Sequence, residues 1–147
     1  MGLFRSILTT LAIAALPGCG AGGDATVPGD SGDMRPFADI AEQELLRFTG
    51  TEPFWGGEAR DTTLVWKTPD QPLGREIKVE RFAGRGGLSF SGRMEDQAFD
   101  MTITPGECSD GMSDRLYPYV ATVRIGQEDY SGCAWSDRKG WSGPEAP

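Results

Sequence analysis

The stretch Phe99-Asp100-Met101-Thr102-Ile103-Thr104 alternates apolar and polar residues without a break. A β-strand turns successive side chains to opposite faces, so Phe99, Met101 and Ile103 share one face while Asp100, Thr102 and Thr104 share the other. Such a strand has one face in a core and one in water. Lys78-Val79-Glu80-Arg81-Phe82 repeats the alternation. Working outward, runs of the same kind cover 54–60, 63–67, 76–82, 88–94, 98–104, 119–125 and 130–135. Turn-forming clusters separate them: Pro69-Asp70-Gln71-Pro72, Gly84-Arg85-Gly86-Gly87, Glu95-Asp96 and Gln127-Glu128-Asp129. Connections this short join antiparallel neighbours, so the expected fold is all-β, a small antiparallel barrel or meander of about seven to eight strands. Residues 38–48 have helical spacing at Ile40, Ala41, Leu45 and Leu46, and admit a short helix leading into a first strand at 46–49.

The chain ahead of this domain reads as an address. Residues 1–18 carry one charge, Arg5, followed by an apolar run over 7–16. About ten such residues are too few to cross a hydrocarbon core of about 30 Å as a helix, and they fit the apolar region of a secretory signal. The run ends on Leu16-Pro17-Gly18-Cys19, which resembles the lipobox of bacterial lipoproteins, with Pro17 standing where a small residue is usual. That resemblance implies cleavage before Cys19, diacylation of Cys19 and attachment to a membrane through the lipid. Gly20, where the same resemblance associates Asp with inner-membrane retention, favours the outer membrane facing the periplasm. An apolar first helix of the folded domain is the competing reading, but the Gly- and Asp-rich segment from Gly20 to Asp33 cannot continue a helix. The expected organisation is a signal peptide at 1–18, a lipidated cysteine and tether at 19–37, a β-domain at 38–137 and a flexible tail at 138–147.

The 147 residues include 14 Lys and Arg against 22 Asp and Glu, and no histidine. Removing the leader with Arg5 leaves 13 basic against 22 acidic side chains, a net charge of −9. An acidic chain is not drawn to nucleic acid, so no nucleic-acid partner is expected. Without histidine there is no Ser-His-Asp or Cys-His relay and no imidazole metal ligand, which weighs against an enzyme and against a cofactor. With Cys19 assigned to lipid, Cys108 and Cys133 most simply form one disulfide in an exported chain. Closing a loop of about 26 residues contributes roughly 3.5 kcal/mol in the chain-entropy account. Cys-x-x-Cys spacing is absent and zinc takes four ligands, so neither a redox pair nor a metal site is expected.

Three motifs stand out: Gly50-Thr51-Glu52-Pro53-Phe54-Trp55, the segment from Thr104 to Pro118 containing Cys108-Ser109-Asp110-Gly111-Met112-Ser113-Asp114, and Gly132-Cys133-Ala134. Together they resemble the recurrent motifs of a family of small, uncharacterised bacterial envelope lipoproteins, also labelled predicted membrane proteins. The resemblance covers about residues 48–135 and implies a periplasm-facing β-domain; it implies no activity. Physically, Pro53 belongs at a strand start and sends Phe54 and Trp55 to opposite faces, one to the core and one available to line a groove. Ser109, Asp110, Ser113 and Asp114 are turn formers that accept backbone N–H bonds, and Gly111 can take a positive φ. The string lacks the oxygen-ligand spacing of a calcium loop. A pinned structural loop is the plainer reading and a partner-binding loop the sharper one. The candidate binding surface is therefore Glu52, Phe54, Trp55, Asp110, Met112, Asp114, Arg115 and Tyr117, with no catalytic and no metal-binding residue.

The functional expectation is a non-enzymatic, lipid-anchored envelope protein that binds a protein, the wall or a small apolar partner. A lysozyme inhibitor is one specific version: such inhibitors are small exported lipoproteins with a β-barrel and a disulfide, and an acidic chain is steered toward basic lysozyme. Their own sequence motif is absent here. A glycan hydrolase using paired carboxylates among Glu52, Glu58, Glu107 and Asp110 is the enzymatic alternative.

Overall fold

The computed structural model describes residues 35–144. The signal-peptide reading, Cys19 and most of the tether lie outside these residues. The described chain is all-β. Its strands are β1 (Leu46–Thr51), β2 (Phe54–Arg60), β3 (Thr63–Thr68), β4 (Gln71–Ala83), β5 (Leu88–Met94), β6 (Gln97–Ser109), β7 (Leu116–Ile125) and β8 (Glu128–Ser136). Each pairs antiparallel with the next, and β8 returns to pair with β1 through Leu46↔Ser136 to Thr49↔Cys133, closing an eight-stranded barrel. Closure leaves no unpaired edge strand among the described residues.

The quoted β6 alternation has the expected meaning, because Phe99, Met101 and Ile103 are buried while Asp100, Thr102 and Thr104 are exposed. Inward-facing Leu46, Phe48, Leu64, Ile77, Val79, Leu88, Phe90, Val123 and Ala134 fill the barrel with them. Strands β4 and β6 run longer than the alternation alone marked. Pro72 reads as part of a turn and Gly74 and Pro105-Gly106 fall outside the strands marked in sequence, yet all of them sit inside β4 and β6, beside register shifts at Trp66/Thr68 and Pro105/Cys108. A bulge tolerates a residue that donates nothing to the ladder.

Residues 38–45 form no helix; they make turns and bends before β1 begins at Leu46. The spacing of Ile40, Leu45 and Leu46 serves burial at one end of the barrel instead of a helix face. There Ile40 joins the core at 2% exposure, and Phe37 packs edge-on to Tyr119 with ring centroids 6.3 Å apart. The segment is tied down on several sides. Phe37 N–H donates to Gly84 C=O at 2.7 Å, Asp61 N–H to Glu42 C=O at 3.0 Å, and Arg81 Nη2 to Ile40 C=O at 2.7 Å. Glu44 accepts from Ala41 N–H, Arg138 N–H and Arg138 Nε at 3.0, 3.0 and 2.7 Å. This end is sealed.

Residues from 138 onward, expected to trail away as a tail, are fastened to the barrel as far as they are described. Besides the Glu44 bonds, Arg138 Nη2 donates to Asp39 C=O at 2.9 Å, Leu116 and Ser142 exchange two backbone hydrogen bonds, and Arg115 lies 4.1 Å above the Trp141 ring.

Candidate functional site

The three sequence motifs, spread over more than eighty residues, converge. Cys108 and Cys133 are disulfide-bonded, joining the second motif to the third. Thr51 Oγ1 donates to Asp110 C=O at 3.2 Å, joining the first to the second. Thr49 pairs with Cys133 across β1 and β8, and Trp55 follows in the first motif. Along β8 the neighbour of Cys133, Ala134, belongs to the interior, so Cys133 and Trp135 point outward. The end of the β6–β7 hairpin must therefore bend past the Pro105/Cys108 bulge and lie over the outside of β8 as far as β1. Tyr117 packs on Trp135 there, ring centroids 5.3 Å apart, and both Tyr117 and Cys133 are buried outside the interior cluster.

Asp110 organises the hairpin. Its carboxylate accepts from Met112 N–H (3.0 Å), Ser113 N–H (2.8 Å), Ser113 Oγ (2.8 Å) and Tyr117 Oη (3.1 Å). Burial alone raises its pKa, but these bonds to the charged form prevail and bring it down to about 2. Ser109 Oγ accepts from Gly111 N–H at 3.1 Å and Gly111 takes φ 70°, as the turn reading requires. Asp110 is thus spent on the loop. Met112 is 69% exposed, Asp114 is exposed, and Arg115 is stacked on Trp141.

The first motif builds something different. Phe54 and Trp55 do face opposite ways: Trp55 is 4% exposed and Phe54 55%. The Trp55 indole lies across the barrel interior over two glycines of the motifs. A Cβ on Gly50 would overlap the indole nitrogen, and one on Gly132 would overlap both the indole and the Thr49 carbonyl. Both positions are glycine because the backbone there is in contact with a ring. Trp55 stacks on Trp66 with centroids 4.9 Å apart and planes 13° from parallel, and Tyr130 meets the two edge-on at 6.1 and 5.6 Å. Above this stack, at the end opposite the sealed one, Pro53, Phe54, Trp55, Trp66, Thr68, Pro69, Asp70 and Tyr130 line a cavity of about 430 Å³. Tyr130 Oη donates to Glu128 Oε2 at 2.5 Å; that bond, with burial second, raises the phenol pKa and keeps the ring in place.

The expected binding surface therefore divides in two. Phe54 and Trp55 line the mouth, with Glu52 exposed in the β1–β2 turn beside them, while Asp110, Met112, Asp114, Arg115 and Tyr117 belong to the folded-over hairpin. Trp66, Thr68, Pro69, Asp70 and Tyr130 were not singled out in sequence. Only the inward parity of Trp66 and Tyr130 on their strands marks them, and that parity has meaning once the barrel is closed. Of the four carboxylates considered for hydrolysis, Glu58 is turned toward Lys67 at 3.6 Å, Asp110 is held by its loop, and Glu107 lines a separate outer recess with Lys139. Comparison of the chain with family models, with curated proteins and with solved structures returns no match.

Proposed function

We propose that this chain is an exported, lipid-anchored protein of the bacterial envelope whose role is binding and not catalysis, and that the open mouth of its barrel holds a small ligand with an apolar body. The lipobox-like Leu16-Pro17-Gly18-Cys19 and the three motifs support the location, Cys19 supplying the membrane attachment, with the outer membrane favoured. The observation that carries the binding reading is the asymmetry of the barrel. One end is sealed by the 37–45 segment, and the other ends in an aromatic cavity of about 430 Å³. Ring surface beside a few polar groups is the usual make-up of a small-molecule site. The first motif supplies its rim and floor, and the second and third fix that part of the wall from outside.

Nuclear magnetic resonance of the indole N–H groups tests the binding reading. Benzyl alcohol, a small neutral aromatic, should shift Trp55 and Trp66 while leaving Trp135 and Trp141 in place. Equal shifts at all four, or none, would remove the mouth as a binding site. Mass spectrometry of the mature N-terminus tests the anchor; an intact N-terminus with unmodified Cys19 would rule it out.

A further inference from the structure

The charge around the mouth narrows the ligand class. Every hairpin at this end of the barrel carries a carboxylate in or next to its turn: Glu52 between β1 and β2, Asp70 between β3 and β4, Glu95 and Asp96 between β5 and β6, and Glu128 after the β7–β8 turn. No Lys or Arg belongs to these turns in sequence, though Arg93 Nη2 reaches the β5–β6 turn to bond Asp96 C=O at 2.6 Å and Arg124 pairs with Asp129 beside the β7–β8 turn, which leaves Glu52 and Asp70 as the acidic side of the rim. The opposite end is mixed, with Arg60 closing β2 and Asp61 in the turn after it, Arg85 between β4 and β5, and Arg138 and Lys139 after β8. Asp70 is the one charged residue among those lining the cavity. Arg75 stands opposite Trp66 across β3 and β4, but it is paired with Glu95 and does not line the cavity. Lys67, beside Trp66 in sequence, is turned to Glu58.

Resting on the binding reading above, we propose that the mouth of the barrel is a site for an organic cation, an amine or quaternary ammonium group carried on an apolar body. Aromatic rings present negative π-faces that attract a cation, and quaternary ammonium groups are recognised in this way by aromatic-lined sites. Phe54, Tyr130 and the Trp pair supply the ring surface, and Asp70 supplies the counter-charge at the rim. Carboxylate and phosphate ligands are disfavoured by the same arrangement, because the lining offers them no cation and an acidic rim. A neutral apolar ligand would gain only the ring surface.

Three water-soluble probes sharing one ring separate these cases: benzyltrimethylammonium, benzyl alcohol and benzoate, each titrated into the full chain in lipid nanodiscs and followed at the Trp55 and Trp66 indole signals. The cation should bind about five- to thirtyfold more tightly than the alcohol, benzoate more weakly than either, and the margin should shrink with salt. Asp70→Asn should remove most of that margin by weakening the cation far more than the alcohol, whereas Asp96→Asn, at the same end but outside the lining, should leave the margin in place. Equal binding of cation and alcohol, or a margin untouched by Asp70→Asn, overturns the cation assignment and leaves the binding reading standing. No indole shift with any probe overturns both.

Discussion

The two ends of the barrel are built from the same kind of strand and differ in what the loops do. At the sealed end, a segment with no regular structure crosses the opening and places Ile40 in the core, with backbone groups bonded to the β2–β3 turn, the β4–β5 connection and the residues after β8. At the mouth, the hairpins stay short, Phe54 is left more than half exposed, and ring surface meets solvent. Sealing contributes stability and forgoes access; the mouth does the reverse. In a barrel whose middle is packed solid, a ligand can enter only where the loops do not cross.

The largest test of this contrast concerns the hairpin that leaves the sealed end and lies along the outer wall. Replacing both Cys108 and Cys133 by Ser should lower the unfolding free energy by about 3.5 kcal/mol, from the 25-residue separation they bridge. Urea denaturation of parent and variant under non-reducing conditions gives the number. A loss below about 1 kcal/mol would mean that the Asp110 network holds the hairpin unaided.

Next in size is the seal. Ile40→Ala removes a buried side chain from the end of the core and should cost about 2–4 kcal/mol, read as a lower urea midpoint with unchanged slope. A cost near zero would show that the segment only rests on the barrel, and the contrast between the ends would fail.

Glu44→Gln probes the latch of that seal. The Glu44 side chain is 4% exposed. Burial tends to raise its pKa, but bonds from Ser136, Ala41 and Arg138 outweigh it and lower the value from 4.5 to about 2. A carboxyl depressed in the folded state contributes stability that is fully present above about pH 4.5 and is lost as pH falls through about 2. The variant should therefore be less stable than the parent by about 1–3 kcal/mol at pH 7. The gap between them should close toward pH 2, which stability curves measured at several pH values will show. A gap that stays constant with pH would assign the loss to shape and not to charge.

These particulars also show what was legible beforehand. The β6 alternation and the punctuation between strands carried the all-β class and the approximate strand count, because a period of two and a turn are local properties. The disulfide followed from cysteine arithmetic. Phe54 and Trp55 on opposite faces followed from strand geometry. What could not be read was long-range: that Trp66 and Tyr130, far apart in the chain, meet Trp55 in one stack, or that residues 38–45 become a seal. Barrel closure creates those neighbours. The longer extents of β4 and β6 were hidden by Pro72 and Pro105, residues whose local meaning is a turn and whose place here is beside a bulge. Gly50 and Gly132 of the first and third motifs had no reading of their own in sequence, because the ring that lies against them is brought there only by barrel closure.

The smallest expected effect on stability is the one that most sharpens the contrast. Phe54 stands on the same hairpin as Trp55, yet at 55% exposure it contributes little buried surface. Phe54→Ala should shift the unfolding free energy by no more than about 0.5 kcal/mol, far less than Ile40→Ala at the other end. It should nevertheless weaken benzyltrimethylammonium binding severalfold, since it strips one ring from the rim of the cavity. A residue kept for packing would show the opposite pairing, a clear stability loss with binding intact. If Phe54→Ala instead lowers stability as far as Ile40→Ala does, the rim is part of the core and the two ends differ in nothing that concerns a ligand. Measuring both variants by urea denaturation and by indole titration places each on the two axes at once, and the mouth is distinguished from the seal only if they fall in opposite corners.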